Sequence, residues 1–444
     1  MSKQPKEKKD QGNSRRDFIK KSSIIVAGSA MAANLNIARA AHSFGSDAIK
    51  IGLIGCGGRG TGAATQAMNT EGEVHLVAMA DAFGDRLQGS IRNIKGRHGD
   101  KVKVTADTQF VGFDAYKKVL ESDCDLVILA TPPGFRPLHV EAAIAAGKHV
   151  FMEKPVAVDA PGIRRVLKAA EEAKKKNLGI QVGLQRRHEE AYIETMKRLH
   201  DGAIGDIVAS RAYWNGGGVW VRPRNDDQTE MEYQMRNWYY FNWLCGDHIN
   251  EQHIHNLDVI NWLKKGFPVE ANGMGGREVR DGIDHGQIFD HHFIEYTYAD
   301  GSKMFSQCRH IRGCWNSVSE HAHGTGGYVD IGGAKIYDPK GGLIWSGKGL
   351  GRGGHQQEHH DMFADLRAGR IPNEGEYGAK STMTAILGRM CSYSGQKITW
   401  ENAINSDLSL ADVDNYHSME DKAPVTPDEN GGYDIPVPGK SKVV

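Results

Sequence analysis

Cysteine is scarce: six residues in 444, and no two of them form a Cys-x-x-Cys pair. That excludes a zinc knuckle and a disulfide-stapled scaffold. A surplus of one charge is also missing, because Lys+Arg and Asp+Glu each number 55 and the formal net charge is zero. Proteins that bind nucleic acid by neutralising phosphates carry a basic excess, so no nucleic-acid partner is expected. Long apolar runs are absent too. The best stretch, Ser22 to Ala38, is interrupted by Gly28, Ser29, Asn34 and Asn36, which makes it a poor span of ~20 residues. No stable membrane span is expected. Glycine is what the chain has in excess, 54 residues where ~7% is usual. Those glycines follow no fixed period, which excludes collagen and low-complexity readings. The length suggests two or three domains with room for a large core.

The N-terminus has the layout of an address. Residues 1–13 are polar and charged, then come Ser14-Arg15-Arg16-Asp17-Phe18-Ile19-Lys20, the uncharged stretch, and Ala38-Arg39-Ala40. This order resembles a twin-arginine signal peptide with a small-residue cleavage site. Residues 1–40 are therefore set apart from the fold. The expectation is a periplasmic protein, exported already folded through the twin-arginine translocase.

A short β-rich run, Ile49 to Ile54, leads into Gly55-Cys56-Gly57-Gly58-Arg59-Gly60, a GxGxxG loop. A lone GxGxxG is weak in so glycine-rich a chain, but here it follows a strand and opens a helix. A second strand, Val74 to Ala80, ends in Asp81, about twenty positions on, where a ribose hydroxyl needs an acceptor. Glycines let the backbone approach a pyrophosphate, and a helix N-terminus offers free N–H groups. A carboxylate at Asp81 repels a 2′-phosphate, so NAD is favoured over NADP. Strands over 125–130, 149–152 and 179–184 alternate with helices, which predicts a doubly wound parallel sheet.

From about residue 49 to 400 the chain resembles the Gfo/Idh/MocA oxidoreductases. The resemblance rests on GCGGRG at 55–60, ATPP at 130–133, EKP at 153–155 and GDHINEQHIHNLD at 246–258. It implies an α/β protein: a Rossmann domain over 48–186, then an α+β domain over 187–400 with a large open, mostly antiparallel sheet. The sheet implies homo-oligomers, and residues 401–444 read as an arm that wraps a neighbouring subunit. The family also implies a carbohydrate or polyol substrate beside a nicotinamide. Thr131, Pro132, Glu153 and Lys154 would then border the cofactor together with the glycine loop and Asp81.

Hydride loss from a secondary alcohol requires a group that takes the hydroxyl proton. Lys154 stands just past a strand's carboxyl end, where ligands bind in open α/β sheets, and can hydrogen-bond the reacting oxygen. Residues 246–263 read as one helix, in which Glu251, His255 and Asp258 share a face. The family carries an Asp four residues before a His, and His255 matches the His. Glu251 takes the Asp position with one more methylene. His255 is assigned as general base, Glu251 as its orienter or a hydroxyl ligand, and Lys154 as the third catalytic group. Arg186, His291 and Asp258 are candidate substrate contacts, with a salt bridge or a structural role as the alternatives. Trp214, Trp220, Trp238, Trp243, Tyr239 and Tyr240 suit either a sugar-stacking rim or a packed insertion. His248, Glu251 and His255 lack a recognised zinc spacing, so no metal is expected.

Outside the cytoplasm no free NAD pool restores the cofactor, so a tightly held, internally recycled nucleotide is expected. Oxidation of one sugar coupled to reduction of another meets that condition. So does a redox-neutral glycosidase that oxidises, eliminates, hydrates and reduces. A catalytically silent sugar-binding protein is the reading from a different class.

Overall fold

The structure is a computed structural model that describes residues 47–444. The twin-arginine signal expected over residues 1–40 lies outside the described residues. Among them, no helix is long and apolar enough to cross a membrane.

The first half builds a six-stranded parallel sheet from β1 (Ile49–Ile54), β2 (Val74–Asp81), β3 (Gln109–Val111), β4 (Leu126–Leu129), β5 (His149–Met152) and β6 (Ile180–Val182). Their order is β3-β2-β1-β4-β5-β6. Helices cover both faces, so the central strands must be apolar throughout. Accordingly, all four residues of β4 and of β5 are buried. The strand order reverses direction beside β1, and the crevice at that switch point is where ligands bind in such sheets. The glycine loop after β1 and the turns after β4 and β5 all open there.

The second sheet has nine strands and follows a different pattern. It contains β7 (Ile207–Gly216), β8 (Glu270–Gly276), β9 (His291–Thr297), β10 (Lys303–His310) and β11 (Ser317–Gly324). Four more complete it: β12 (Gly327–Asp330), β13 (Lys335–Tyr337), β14 (Leu343–Ser346) and β15 (Ile398–Thr399). The order is β14-β13-β12-β11-β7-β10-β9-β8-β15. All pairs are antiparallel except β7 with β10. Burial alternates residue by residue along β9 and β10, so one face is packed and the other half-open. Helices Ile254–Lys264 and Gly375–Ser394 cover the packed face. The second comes so close that a Cβ on Gly388 would lie 2.0 Å from the Tyr296 hydroxyl. The fold is α/β, with the Rossmann sheet and the largely antiparallel sheet expected from the sequence.

Residues after 404, expected as an arm, lie against their own chain. Val413, Ala423 and Tyr433 are buried in a cluster with Phe135, Phe241 and Trp243. Arg165 binds Asp414, and Gln234 donates to the carbonyl of Val425.

Candidate active site

The glycine loop is shaped by contact, not only by flexibility. Gly55 has φ +99°, and a Cβ there would lie 2.5 Å from the carbonyl carbon of Ala130. A Cβ on Gly60 would lie 1.9 Å from the carbonyl oxygen of Gly55. Gly57 and Gly58, in contrast, face open space. The helix Gly58–Met68 that follows has no side-chain cap, which leaves its first N–H groups and positive dipole end for an anion. The two oxygens of Asp81 accept from the backbone N–H of Cys56 (2.6 Å) and of Phe83 (2.9 Å). Burial nevertheless raises the Asp81 carboxyl above its usual value. Each oxygen keeps a lone pair for a further donor. An open glycine edge, an uncapped helix and a carboxylate at the strand end fit a dinucleotide.

The turns after β4 and β5 are stitched together by Arg136. Its side chain donates to the carbonyl oxygens of Thr131 (2.6 Å) and Glu153 (3.0 Å) and is 1% exposed. The Thr131 hydroxyl also meets His139 Nδ1 at 3.1 Å. Burial, then the charge of Arg136, lowers His139 to about 3, so that imidazole is neutral. Glu153 pairs with Arg59 of the glycine loop, and Arg59 reaches Glu358 at 3.3 Å. Burial, then the nearby Glu153 charge, holds the Glu358 carboxyl well above its ordinary value. The Lys154–Pro155 peptide bond is cis.

Lys154 points across the crevice to the second half of the chain. Its Nζ donates to the carbonyl oxygen of Glu251 at 2.5 Å and to Oε1 of Glu251 at 2.9 Å. The expected single helix over 246–263 is broken: one turn covers His248–Glu251, and a separate helix runs Ile254–Lys264. The break leaves Glu251, Gln252 and His255 all lining the cleft, whereas His248 does not. His255 is 7% exposed and stacks on Trp214 at 6.0 Å between ring centres. Burial, and next the charge of Lys154, pushes His255 well below the usual imidazole range, so it is neutral.

One cleft of about 710 Å³ holds the glycine loop, Asp81, Thr131, Pro132, Glu153, Lys154, Glu251 and His255 together. Cys56 and Gly60 belong to the loop but support it from behind, both buried. The aromatic segment divides. Trp214, Trp220 and Trp238 line the cleft, while Trp243, Tyr239 and Tyr240 are buried in the cluster that receives the C-terminal residues.

The three candidate substrate contacts go elsewhere. Arg186 is buried and ion-paired with Glu320, whose carboxylate also accepts from Tyr192 and Asn256. Asp258 makes a two-point contact with Arg187, both distances 2.8 Å, and accepts from Ser381. His291 lies outside the cleft, with its Nδ1 2.7 Å from Asp290. In each case a structural partner distant in sequence, or an adjacent carboxylate, takes the group. Gln252 and His355 line the cleft and were missed. Gln252 is held by a relay: Arg280 donates to His310 Nδ1 at 2.7 Å, so His310 Nε2 carries its proton toward Gln252 Oε1 at 2.7 Å. The Gln252 amide NH₂ is thereby left for the cleft. Its only sequence signal was its position between Glu251 and His255.

Residues 49–182 match the Gfo/Idh/MocA family, an oxidoreductase family with an NAD-binding Rossmann fold. Inositol 2-dehydrogenase from Rhizobium meliloti (strain 1021) is 25% identical over 282 residues, 63% of this chain and 74% of the relative. Inositol 2-dehydrogenase from Klebsiella pneumoniae (strain 342) is 30% identical over 218 residues, 48% of this chain and 54% of that relative. Among solved structures, apo scyllo-inositol dehydrogenase from Lactobacillus casei shares the fold with a TM-score of 0.62. It is 19% identical, and the match covers 80% of this chain and 99% of that one.

Proposed function

We propose that this chain, an oxidoreductase of the Gfo/Idh/MocA family with an NAD-binding Rossmann domain, oxidises a secondary hydroxyl of a sugar or polyol. The observation that carries the reading is the convergence of Lys154, Glu251 and His255 on the cleft that also contains the glycine loop and Asp81. NAD, when bound, supplies the hydride acceptor. The protein's part is proton handling and orientation. Neutral His255 takes the hydroxyl proton as general base. The Lys154 ammonium hydrogen-bonds the same oxygen and stabilises the charge that develops on it. Glu251 fixes that ammonium and offers an acceptor for a neighbouring hydroxyl. Trp214 and Trp220 provide apolar faces suited to the C–H side of a sugar ring.

Export by the twin-arginine route, with the nucleotide kept bound and restored within each cycle, remains part of this proposal, as does assembly of copies through the half-open face of the nine-stranded sheet. The decisive experiment starts from protein purified without added NAD. Bound nucleotide is read by absorbance, and then inositols, free sugars and aryl glycosides are offered. Reduction of the nucleotide by a polyol or sugar supports the reading. Aglycone release with no net reduction would replace it with the glycosidase cycle. Sugar binding with neither signal would leave a silent binder.

A further inference from the structure

The layer beneath the catalytic turn is polar where a helix–sheet interface is usually apolar. The inward residues of β10 include Ser306, Cys308 and His310, and Cys308 stands opposite His292 of β9. His248, from the same turn as Glu251, packs against them, its ring 4.9 Å from that of His292. None of His248, His292 and Cys308 is more than 3% exposed. One potential ligand atom from each lies within 4.8 Å of the other two.

The hydrogen bonds show which ring nitrogens are left over for a ligand. His248 Nδ1 lies 2.7 Å from the Asp247 carboxylate. A carboxylate only accepts, so Nδ1 carries the proton and Nε2 presents a bare lone pair. His292 Nδ1 lies 2.8 Å from the Ser392 hydroxyl, which itself donates to the carbonyl of Arg389 at 3.1 Å. A hydroxyl has one proton, so Ser392 accepts from His292, and Nε2 is again bare. Both Nε2 atoms are buried, and His248 Nε2 has no hydrogen-bond partner. His292 Nε2 makes no hydrogen bond of good geometry and faces Asp247 Oδ2 at 3.3 Å, a carboxylate oxygen that repels a bare nitrogen lone pair unless a cation offsets them. Buried acceptor nitrogens with no donor are costly unless a cation joins them.

We infer that His248 Nε2, His292 Nε2 and Cys308 Sγ form a binding site for a divalent ion of zinc type. Two imidazole nitrogens and a sulfur match the borderline softness of zinc. Asp247 and Ser392 set the tautomers of the two ligands, as outer partners do in zinc sites. Binding forms two metal–nitrogen bonds and one metal–sulfur bond and releases the thiol proton to solvent. None of the three ligands lines the substrate cleft. The ion's role is positional: it ties β9 and β10 to the turn that carries Glu251. This inference is independent of the substrate and of the proposed reaction.

The test uses the full chain, produced in zinc-supplemented medium and purified without chelator. Elemental analysis is expected to find about one zinc per chain. Cys308→Ser and His292→Gln should each reduce it to background, while Cys314→Ser, at the exposed cysteine, keeps it. Cobalt exchanged into the wild type should show a thiolate charge-transfer band that Cys308→Ser lacks. Ser392→Ala should weaken metal binding roughly 10–100-fold. Wild-type protein with no more zinc than Cys308→Ser, and no thiolate band with cobalt, would overturn the site. If Cys308→Ser does not fold, the cobalt spectrum of the wild type decides alone.

Discussion

Nζ of Lys154 lies 2.9 Å from Oε1 of Glu251, so the end of a Rossmann strand and a turn packed on the second sheet meet in one ion pair. Both side chains are largely shielded, 12% and 15% exposed. Lys154→Ala removes the ammonium and leaves the glycine loop and Asp81 unchanged. The turnover rate should fall roughly 10²–10⁴-fold, while nucleotide affinity, measured by fluorescence titration, is retained. A variant that turns over normally would remove Lys154 from the reaction.

His255 should give the pH profile an unusual acid side. Burial and the Lys154 charge hold its proton affinity well below the ordinary imidazole value, which is about 6.5. A base with a depressed value stays unprotonated as the medium becomes acidic. kcat/KM should therefore hold steady as pH falls through about 6.5. A steep loss centred there would assign the base to another, unperturbed histidine. His255→Gln should abolish the reaction at every pH.

Gly60→Ala puts a methyl carbon 1.9 Å from a backbone oxygen of the same loop. The backbone must move to accept it, and overpacking of this kind costs about 1–3 kcal/mol. Nucleotide binding should weaken together with stability, because the displaced segment is the one that faces the pyrophosphate. Calorimetry on the variant, with and without NAD, checks both. Gly62→Ala nearby meets only the tip of Arg59 at 3.7 Å and should be tolerated.

Arg186→Ala separates structure from catalysis. Glu320 is fully buried, and removing its cation strands a charge in the interior. Loss of one partner of such a pair costs about 3–5 kcal/mol. Thermal unfolding should shift down strongly, while KM measured well below the new midpoint stays near the wild-type value. A large rise in KM with unchanged stability would restore Arg186 as a substrate contact.

Acid should destabilise the Rossmann half through two buried imidazoles. Burial holds His139 at about 3, with Arg136 adding to the effect, and His149 at about 4. In the unfolded chain both titrate near 6.5. Below that pH the unfolded state binds protons that the folded state refuses, so stability falls as pH drops from about 6.5 toward about 4. Each histidine contributes a slope approaching about 1.4 kcal/mol per pH unit. Urea unfolding at stepped pH checks this, and a flat profile from 7 to about 4 would contradict it.

Most of the first sheet is legible because its information is local. Short apolar runs bounded by turns, each followed by a helix, identify β1, β2, β4, β5 and β6. β3 escapes because it has three residues, none of them buried. The glycine loop, Asp81 and Lys154 are legible for a related reason: strand ends place them at the crevice. For Arg186 and Asp258 the sequence left substrate contact and salt bridge as alternatives, because partners distant along the chain decide between them. Those partners, Glu320 and Arg187, lie 134 and 71 positions away. The helix break after Glu251 was hidden in the same way. Residues 248–264 carry no proline or glycine, and the interruption comes from side chains such as His248 and His253 docking on the sheet. The His248, His292 and Cys308 cluster has no spacing to read, because three separate elements contribute to it.

Phe135 lines the cleft, and the cluster it belongs to is completed by Val413, Ala423 and Tyr433. These partners are separated by most of the polypeptide. During synthesis the wall behind the nucleotide crevice stays unfinished until the segment around residue 433 has emerged from the ribosome. A nascent chain holding only the six-stranded sheet would present Phe135 to water, and shortening the protein before residue 413 should yield a sticky, aggregating product instead of a smaller enzyme.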